Sequence, residues 1–287
     1  RSLVGSEMCI RDRPKTVIKL TDEIYQKGEK ERNSAQMLKA YMWRMKTQDI
    51  LTPDSFYVGL RDLEQWAKQT EQPMDRAILH SLIAEFYANY AADNQWQLRQ
   101  RTEIVGETPS ADIREWTANM FVEKVRTNVK EALADSLLLL KTSSLNYIPF
   151  VELGETSEYY HHDMYHLLAS RAIRALNQIE RLERGSFNGI TASPVKQDIS
   201  NIYERMTDAY ETAGLKEGYV LTMLQYLEWK RGNDNKLQPV QLKKGLGEWT
   251  ADTYNAALDE LKRQFKSEPI CAEVYLAQAV SYTHLRA

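Results

Sequence analysis

The stretch AILHSLIAEFYANY, residues 77–90, decides the fold. Ile78, Leu79, Leu82, Ile83, Phe86, Tyr87 and Tyr90 would cover most of the circumference of a helix. A helix that is apolar nearly all round is buried between neighbours. Residues 77–90 therefore predict a central helix and require other helices around it.

The flanking sequence supplies them. Upstream, Phe56, Leu60, Leu63 and Ala67 repeat the spacing of one helix face after Pro53, and Pro73 punctuates the chain again. Before them, Leu38, Tyr41, Met42 and Met45 fall at i, i+3, i+4 and i+7, so residues 17–29 and 34–47 read as a hairpin. Downstream, Asp112 with Glu115 resembles a capping box opening a long helix that carries Trp116, Met120, Phe121, Val125, Val129 and Leu133. A looser region follows from about 141 to 161, with Pro149 and Gly154, and then a helix marked by Leu168, Ala172, Leu176 and Ile179. RGSFNGITASP, residues 184–194, is the clearest linker and divides a first helical array, 14–183, from a second set of hairpins, 195–279. In the second set, Ile199, Ile202, Tyr203, Met206, Tyr210 and Ala213 share a face that stops at Gly214, a C-terminal cap. Val220, Leu224 and Leu227 form its partner, stopped at Gly232. Tyr254, Leu258, Leu261 and Phe265 form a last face before a turn at Pro269.

No stretch of 5–8 residues alternates strictly as a strand would. The chain reads as all-α, an irregular solenoid of antiparallel helical hairpins. YNAALDELKRQFKSEPICAEVYLAQA, residues 254–279, looks like a tetratricopeptide-type unit, with small Ala residues where helices approach and Pro at the turn. No 34-residue period runs through the whole chain, so the array is tetratricopeptide-like rather than a strict repeat. The expected core includes Leu38, Tyr41, Leu82, Phe86, Leu133, Leu168, Ile202, Met206, Leu258 and Leu261.

Composition agrees. Among 287 residues, 12 Gly and 8 Pro are too few for a β-fold with many tight turns. A formal charge of −3 and no concentrated basic face argue against nucleic-acid binding; Lys243-Lys244 reads as solvated surface. The longest apolar run, Leu137 to Leu140, is far below the ~18–20 residues that span a membrane. Two cysteines, Cys9 and Cys271, do not make a disulfide framework. RSLVGSEMCIRDR (1–13) and VSYTHLRA (280–287) resemble translated sequencing-adapter read-through, and are expected to pack poorly or merely to extend neighbouring helices without core contacts.

Few residues invite chemistry. In HHDMYH, residues 161–166, His162 and His166 stand at i, i+4, which on a helix places both imidazoles on one side, with Asp163 as a further ligand. The strong zinc motif has a general-base Glu between its histidines; here Asp163, Met164 and Tyr165 intervene. Asp163 at a helix N-terminus is the simpler reading. Cys271 invites comparison with an internal thioester, but that bond needs a Gln three residues on and position 274 is Val. Trp96 beside Arg99 and Arg101 could stack and pair with a nucleic acid, but on an acidic chain reads as inter-helix contact. Gly245-Leu246-Gly247 lacks the third Gly and the preceding strand of a phosphate loop, and no nucleophile elbow is present. No catalytic, cofactor-binding or metal residue is therefore assigned, and no cofactor is expected.

The stretch 77–90, followed by NQWQLRQRT (94–102), resembles the helical N-terminal region of large bacterial alpha-2-macroglobulin-like proteins. The helix around Trp116, MYHLLASRAI (164–173), GLKEGYVLTMLQYLEW (214–229) and 254–279 continue the likeness in order over most of 14–279. His166 departs from it, since an acidic residue is expected there. The resemblance implies protease trapping by a parent protein whose bait, macroglobulin and thioester domains lie beyond this region. It implies a non-catalytic support or docking role here, the other domains of the parent chain and proteases as partners, and the periplasm or outer-membrane face as location. The alternatives are a free-standing tetratricopeptide-like adaptor that binds protein, and a metal-dependent hydrolase using His162 and His166.

Overall fold

The computed structural model describes residues 14–52, 56–102, 110–183, 193–233 and 254–284. Among them every regular element is a helix; no strand is present, and Ser143 and Asp163 form one isolated antiparallel bridge. The described residues fall into two compact units, one within 14–157 and 161–196, the other within 158–160 and 197–284.

The first unit opens with a tight hairpin of α1 (Pro14–Lys30) and α2 (Ser34–Leu51). Asn33 makes the turn: its side chain accepts from Gln36 N at 3.1 Å and its own N–H donates to Gly28 O at 2.8 Å. Gly28 lets the two helices approach closely there. A Cβ at that position would stand 3.0 Å from Met37 Cγ and 3.3 Å from Asn33 O. Next, α3 (Phe56–Gln69) buries Leu60, Leu63 and Ala67, the face that the sequence spacing marks. Then comes α4 (Pro73–Asp93), with Pro73 in the first turn, where its missing N–H leaves no bond unmade.

The central position of α4 follows from its composition. It buries residues all round, among them Ile78, Leu79, Leu82, Ile83 and Tyr87. The short α5 (Gln95–Gln100) follows, and then α6 (Ala118–Ala132), α7 (Ser136–Lys141) and α8 (Met164–Ile179). Helices α3, α6 and α8 all pack against α4.

Asp112 does not open the long helix, contrary to the sequence reading. It caps a three-residue 3-10 turn, Ile113–Glu115. Its carboxylate accepts from Arg114 N at 2.9 Å and from the Arg114 guanidinium at 3.0 and 2.7 Å. Trp116 is then extended, its indole donating back to Ser110 O at 2.7 Å, so α6 starts two residues later. Local side-chain bonds of this kind compete with helix.

The second unit holds the rest of α9 (Pro194–Ala213), α10 (Lys216–Asn233), α11 (Tyr254–Gln264) and α12 (Cys271–His284). Gly214 ends α9 with φ +71°, and Leu215 N donates to Tyr210 O at 2.9 Å, the left-handed stop the sequence predicts. Large rings stand between α9 and α10: Tyr203 stacks on Tyr226 at 5.1 Å and tilts against Trp229 at 6.1 Å. Helices α11 and α12 are antiparallel, since Asn255 meets Ser281 at 3.2 Å and Asp259 meets Gln278 at 3.0 Å. Ala257, Leu258, Leu261, Ile270 and Val274 fill the space between.

Several boundary and core expectations are corrected. Ser193 and Pro194 do not belong to a linker: Pro194 begins α9, and Ser193 Oγ accepts from Lys196 N at 3.0 Å while it donates to Glu183. Residues 184–192 lie outside the described residues, as do 1–13, 234–253 and 285–287. Residues 280–284 extend α12, since an established helix gains one hydrogen bond per added residue, and what departs from expectation is that Ser281 is buried, donating to Asn255 at 3.2 Å. Tyr41 and Phe86 are half-buried rather than core. The Tyr41 hydroxyl donates to Gly59 O at 2.7 Å, and Phe86 lines a cavity. Leu224 and Phe265 are half-buried too, and Ala213, the last residue of α9, is exposed. The other eight expected core residues are buried.

Candidate functional site

A recess of about 490 Å³ lies within the first unit. Its position follows from two helical stripes. Along α4, Ile78, Ser81, Leu82, Glu85, Phe86 and Asn89 face it, spaced at three and four residues. Along α8, Met164, Leu167, Leu168 and Arg171 repeat the spacing. Met42 of α2 and residues 150–152 complete the wall. A second recess of about 390 Å³ shares Met42 and Phe86 and adds Trp43, Met45, Lys46 and Asp49.

The 150–152 wall is held from several sides. Phe150 N and Val151 N both donate to Tyr147 O, at 2.7 and 2.9 Å. Lys39 Nζ donates to Pro149 O at 3.1 Å. The Tyr147 hydroxyl donates to Asp75 at 2.8 Å, and Asp75 also accepts from Ser34 Oγ at 2.5 Å. Asp75 is buried in the first turn of α4, so one carboxylate ties α2, α4 and the 3-10 turn Ser144–Tyr147 together. Burial and this carboxylate push the Tyr147 hydroxyl above its ordinary range.

Most of the cavity wall is apolar, and its polar groups are concentrated. Arg171 pairs with Glu85 and donates from Nε to Ser81 Oγ at 3.3 Å. Gln178 donates to Asn89 Oδ1 at 2.9 Å, and Glu152 adds a carboxylate. An apolar recess with a few convergent polar groups is the general form of a binding site.

The histidine cluster is not built as its spacing predicts. His161 and His162 have φ of 51° and 54°, in the left-handed region, and Asp163 is the N-cap of α8, accepting from His166 N at 2.6 Å. Only His166 of the pair lies in the helix. His162 is tied to Ser144, whose N–H and hydroxyl both donate to its carbonyl, at 2.7 and 2.8 Å. The shared helix face that a two-histidine metal site requires is therefore absent. Among the described residues no three His, Cys, Asp or Glu side chains gather to hold a metal.

Desolvation lowers the His166 pKa from 6.5 to about 4. The unfolded chain takes up this proton near pH 6.5 and the folded chain only near 4. Between those values the unfolded state binds more protons, so stability falls as pH drops. The loss attributable to His166 is expected to reach about 1–3 kcal/mol by pH 4. Urea titrations of the wild type and of His166→Phe at pH 7.5, 5.5 and 4.5 measure it: the gap should move in favour of the variant as pH falls. Parallel pH profiles would show that His166 is not desolvated.

The other singled-out residues are not brought together. Trp96 is 73% exposed, whereas Arg99 donates to Arg181 O at 3.0 Å and Arg101 to Trp116 O at 2.6 Å. The two guanidinium groups serve packing within the unit. Cys271 is buried with its Sγ 4.0 Å from Lys262 O, and Val274 is buried beside it on α12. Lys243, Lys244, Gly245 and Gly247 lie outside the described residues.

No protein-family model, curated protein or solved structure matches this chain. The cavity itself went unread in the sequence. Arg171 and Glu85 are 86 residues apart, and their signal is faint: each is one charge inside an otherwise apolar helical stripe.

Proposed function

We propose that this chain is a non-catalytic helical docking and support region of a bacterial alpha-2-macroglobulin-like protease-trapping protein, acting at the periplasmic or outer-membrane face. The observation that carries the docking role is the cavity framed by α2, α4, α8 and residues 150–152. Its mostly apolar wall with a few polar groups suits a protein segment better than a charged small molecule. The parent family rests on the ordered likeness of 77–90, 94–102, 164–173, 214–229 and 254–279. Domains of the parent chain are the primary partners, and proteases are met through the parent. A free-standing adaptor is the second reading, favoured because one unit alone forms the whole cavity.

Photocrosslinking tests the docking role. A benzoylphenylalanine is placed at Val151, which lines the cavity, in the gene product extended beyond this region. Crosslinked peptides from another domain of the same polypeptide are expected. Crosslinks confined to side chains that already line the cavity would overturn it.

A further inference from the structure

Beyond the cavity, we infer that Tyr25, Tyr41 and Trp66 form a binding patch for a guanidinium group, the arginine side chain of a protein partner. The three rings come from α1, α2 and α3 of the first unit. Ring centroids are 6.5 Å apart for Tyr25 and Tyr41, 5.8 Å for Tyr25 and Trp66, and 5.7 Å for Tyr41 and Trp66. Each residue is half-buried, so part of each stays open to solvent. Elsewhere the chain supplies its own cation: a Lys or Arg stands 4.8–5.4 Å from the ring centres of Trp43, Tyr57, Tyr226 and Tyr254. Among the described residues none stands over Tyr25, Tyr41 or Trp66.

Carboxylates flank the rings by helix spacing. Asp22 and Glu29 stand at i−3 and i+4 from Tyr25 on α1, and Asp62 at i−4 from Trp66 on α3. Burial, and after it Glu29, pushes the Tyr25 hydroxyl above its ordinary range; burial and then Asp62 do the same to Tyr41, and Arg44 opposes both. Both carboxylates are therefore in electrostatic reach of the rings. Arg44 is itself paired with Asp22 at 3.3 Å. On α1, Lys19 pairs with Glu23 and Lys27 with Glu31. Lys30 and Arg61 stand five residues from a patch ring and Lys68 two, off the rings' helix faces. Glu29 and Asp62 are exposed and have no ion-pair partner among the described residues. The patch thus joins open aromatic surface to two uncompensated negative charges. A guanidinium suits both: it is weakly hydrated, stacks on aromatic rings, and its planar fork matches a carboxylate. An ammonium holds its water more tightly.

The probe is N-acetyl-arginine N-methylamide. The reporter is the ¹⁹F spectrum of the full chain with fluorotryptophan at its six tryptophans, Trp66 being assigned by Trp66→Phe. The Trp66 resonance should shift saturably, with half-saturation in the range of about 10 mM for one cation at an exposed site. Trp96, 73% exposed and outside the patch, should not shift. The citrulline analogue, which keeps the shape without the charge, should bind at least about fivefold more weakly. The lysine analogue should bind at least about twofold more weakly. Glu29→Gln with Asp62→Asn should weaken the arginine probe at least about threefold and leave the citrulline analogue as it was.

Citrulline binding equal to arginine overturns the inference on unmutated protein, so the test stands even where the double variant does not fold. Lysine binding equal to or tighter than arginine overturns the guanidinium assignment. No shift at Trp66, or an equal shift at Trp96, overturns the patch. Arginine binding unchanged in a folded double variant overturns the part given to the carboxylates. None of these outcomes bears on the cavity, whose docking role the Val151 crosslink tests separately.

Discussion

Replacing Phe121 with alanine is expected to destabilise the first unit by about 3–5 kcal/mol. Phe121 is fully buried at the start of α6. Its ring lies 5.4 Å from Tyr90, 5.2 Å from Trp116 and 6.2 Å from Tyr87, while Tyr87 stacks on Trp116 at 5.3 Å. Two of these neighbours, Tyr87 and Trp116, are fixed by hydrogen bonds and resist closing over the gap. The Tyr87 hydroxyl donates to Glu64 at 2.9 Å, and Glu64 pairs with Lys124 at 2.6 Å. The Trp116 indole is held by Ser110 O, and its carbonyl by Arg101. A site that cannot collapse retains its cavity, which places the cost at the high end of the range. Urea denaturation followed by circular dichroism measures it, with Leu137→Ala, at a position 66% exposed, as a control expected within about 0.5 kcal/mol of wild type. A loss below about 1 kcal/mol at Phe121 would show that the aromatic cluster is not the rigid centre of the unit.

Asp75→Ala is expected to cost about 2–4 kcal/mol. The carboxylate is buried and accepts from Ser34 and Tyr147, so its removal leaves the Tyr147 hydroxyl buried without a partner. The price is desolvation of an unmade bond rather than lost attraction alone. Tyr147→Phe should cost less, about 1–2 kcal/mol, because Asp75 keeps the bond from Ser34. The double variant should cost clearly less than the two single losses together, since the orphaned hydroxyl is then gone. Simple additivity in urea titrations would contradict the proposed tie between α2, α4 and the 144–147 turn.

Helix faces were legible because burial has a period. Leu60, Leu63 and Ala67 on α3, and Leu168, Ala172, Leu176 and Ile179 on α8, lie where their spacing places them. Residues 77–90 were legible as central because a helix without a polar face cannot stand at a surface. Gly214 was legible because few other residues accept its φ of +71°. Boundaries set by a single side chain were not. Asp112 and Glu115 have capping-box spacing, but Arg114 competes for the carboxylate, and that competition is local geometry. The same holds at His162, whose left-handed backbone is tied through its carbonyl to Ser144, 18 residues away. The cavity was illegible for a different reason: it is a relation among α2, α4 and α8, and no spacing within one helix records it.

Protease trapping tests the central claim most directly. The purified chain is incubated with broad-specificity proteases, and turnover of a large protein substrate is compared with that of a small peptide substrate. A trap blocks the large substrate and spares the small one. The account predicts that this chain alone leaves both turnovers unchanged, while a product that also carries the bait and macroglobulin domains of the proposed parent shows the trapping pattern. Trapping by this chain alone would contradict a docking and support role, and its absence from the extended product would contradict the proposed parent.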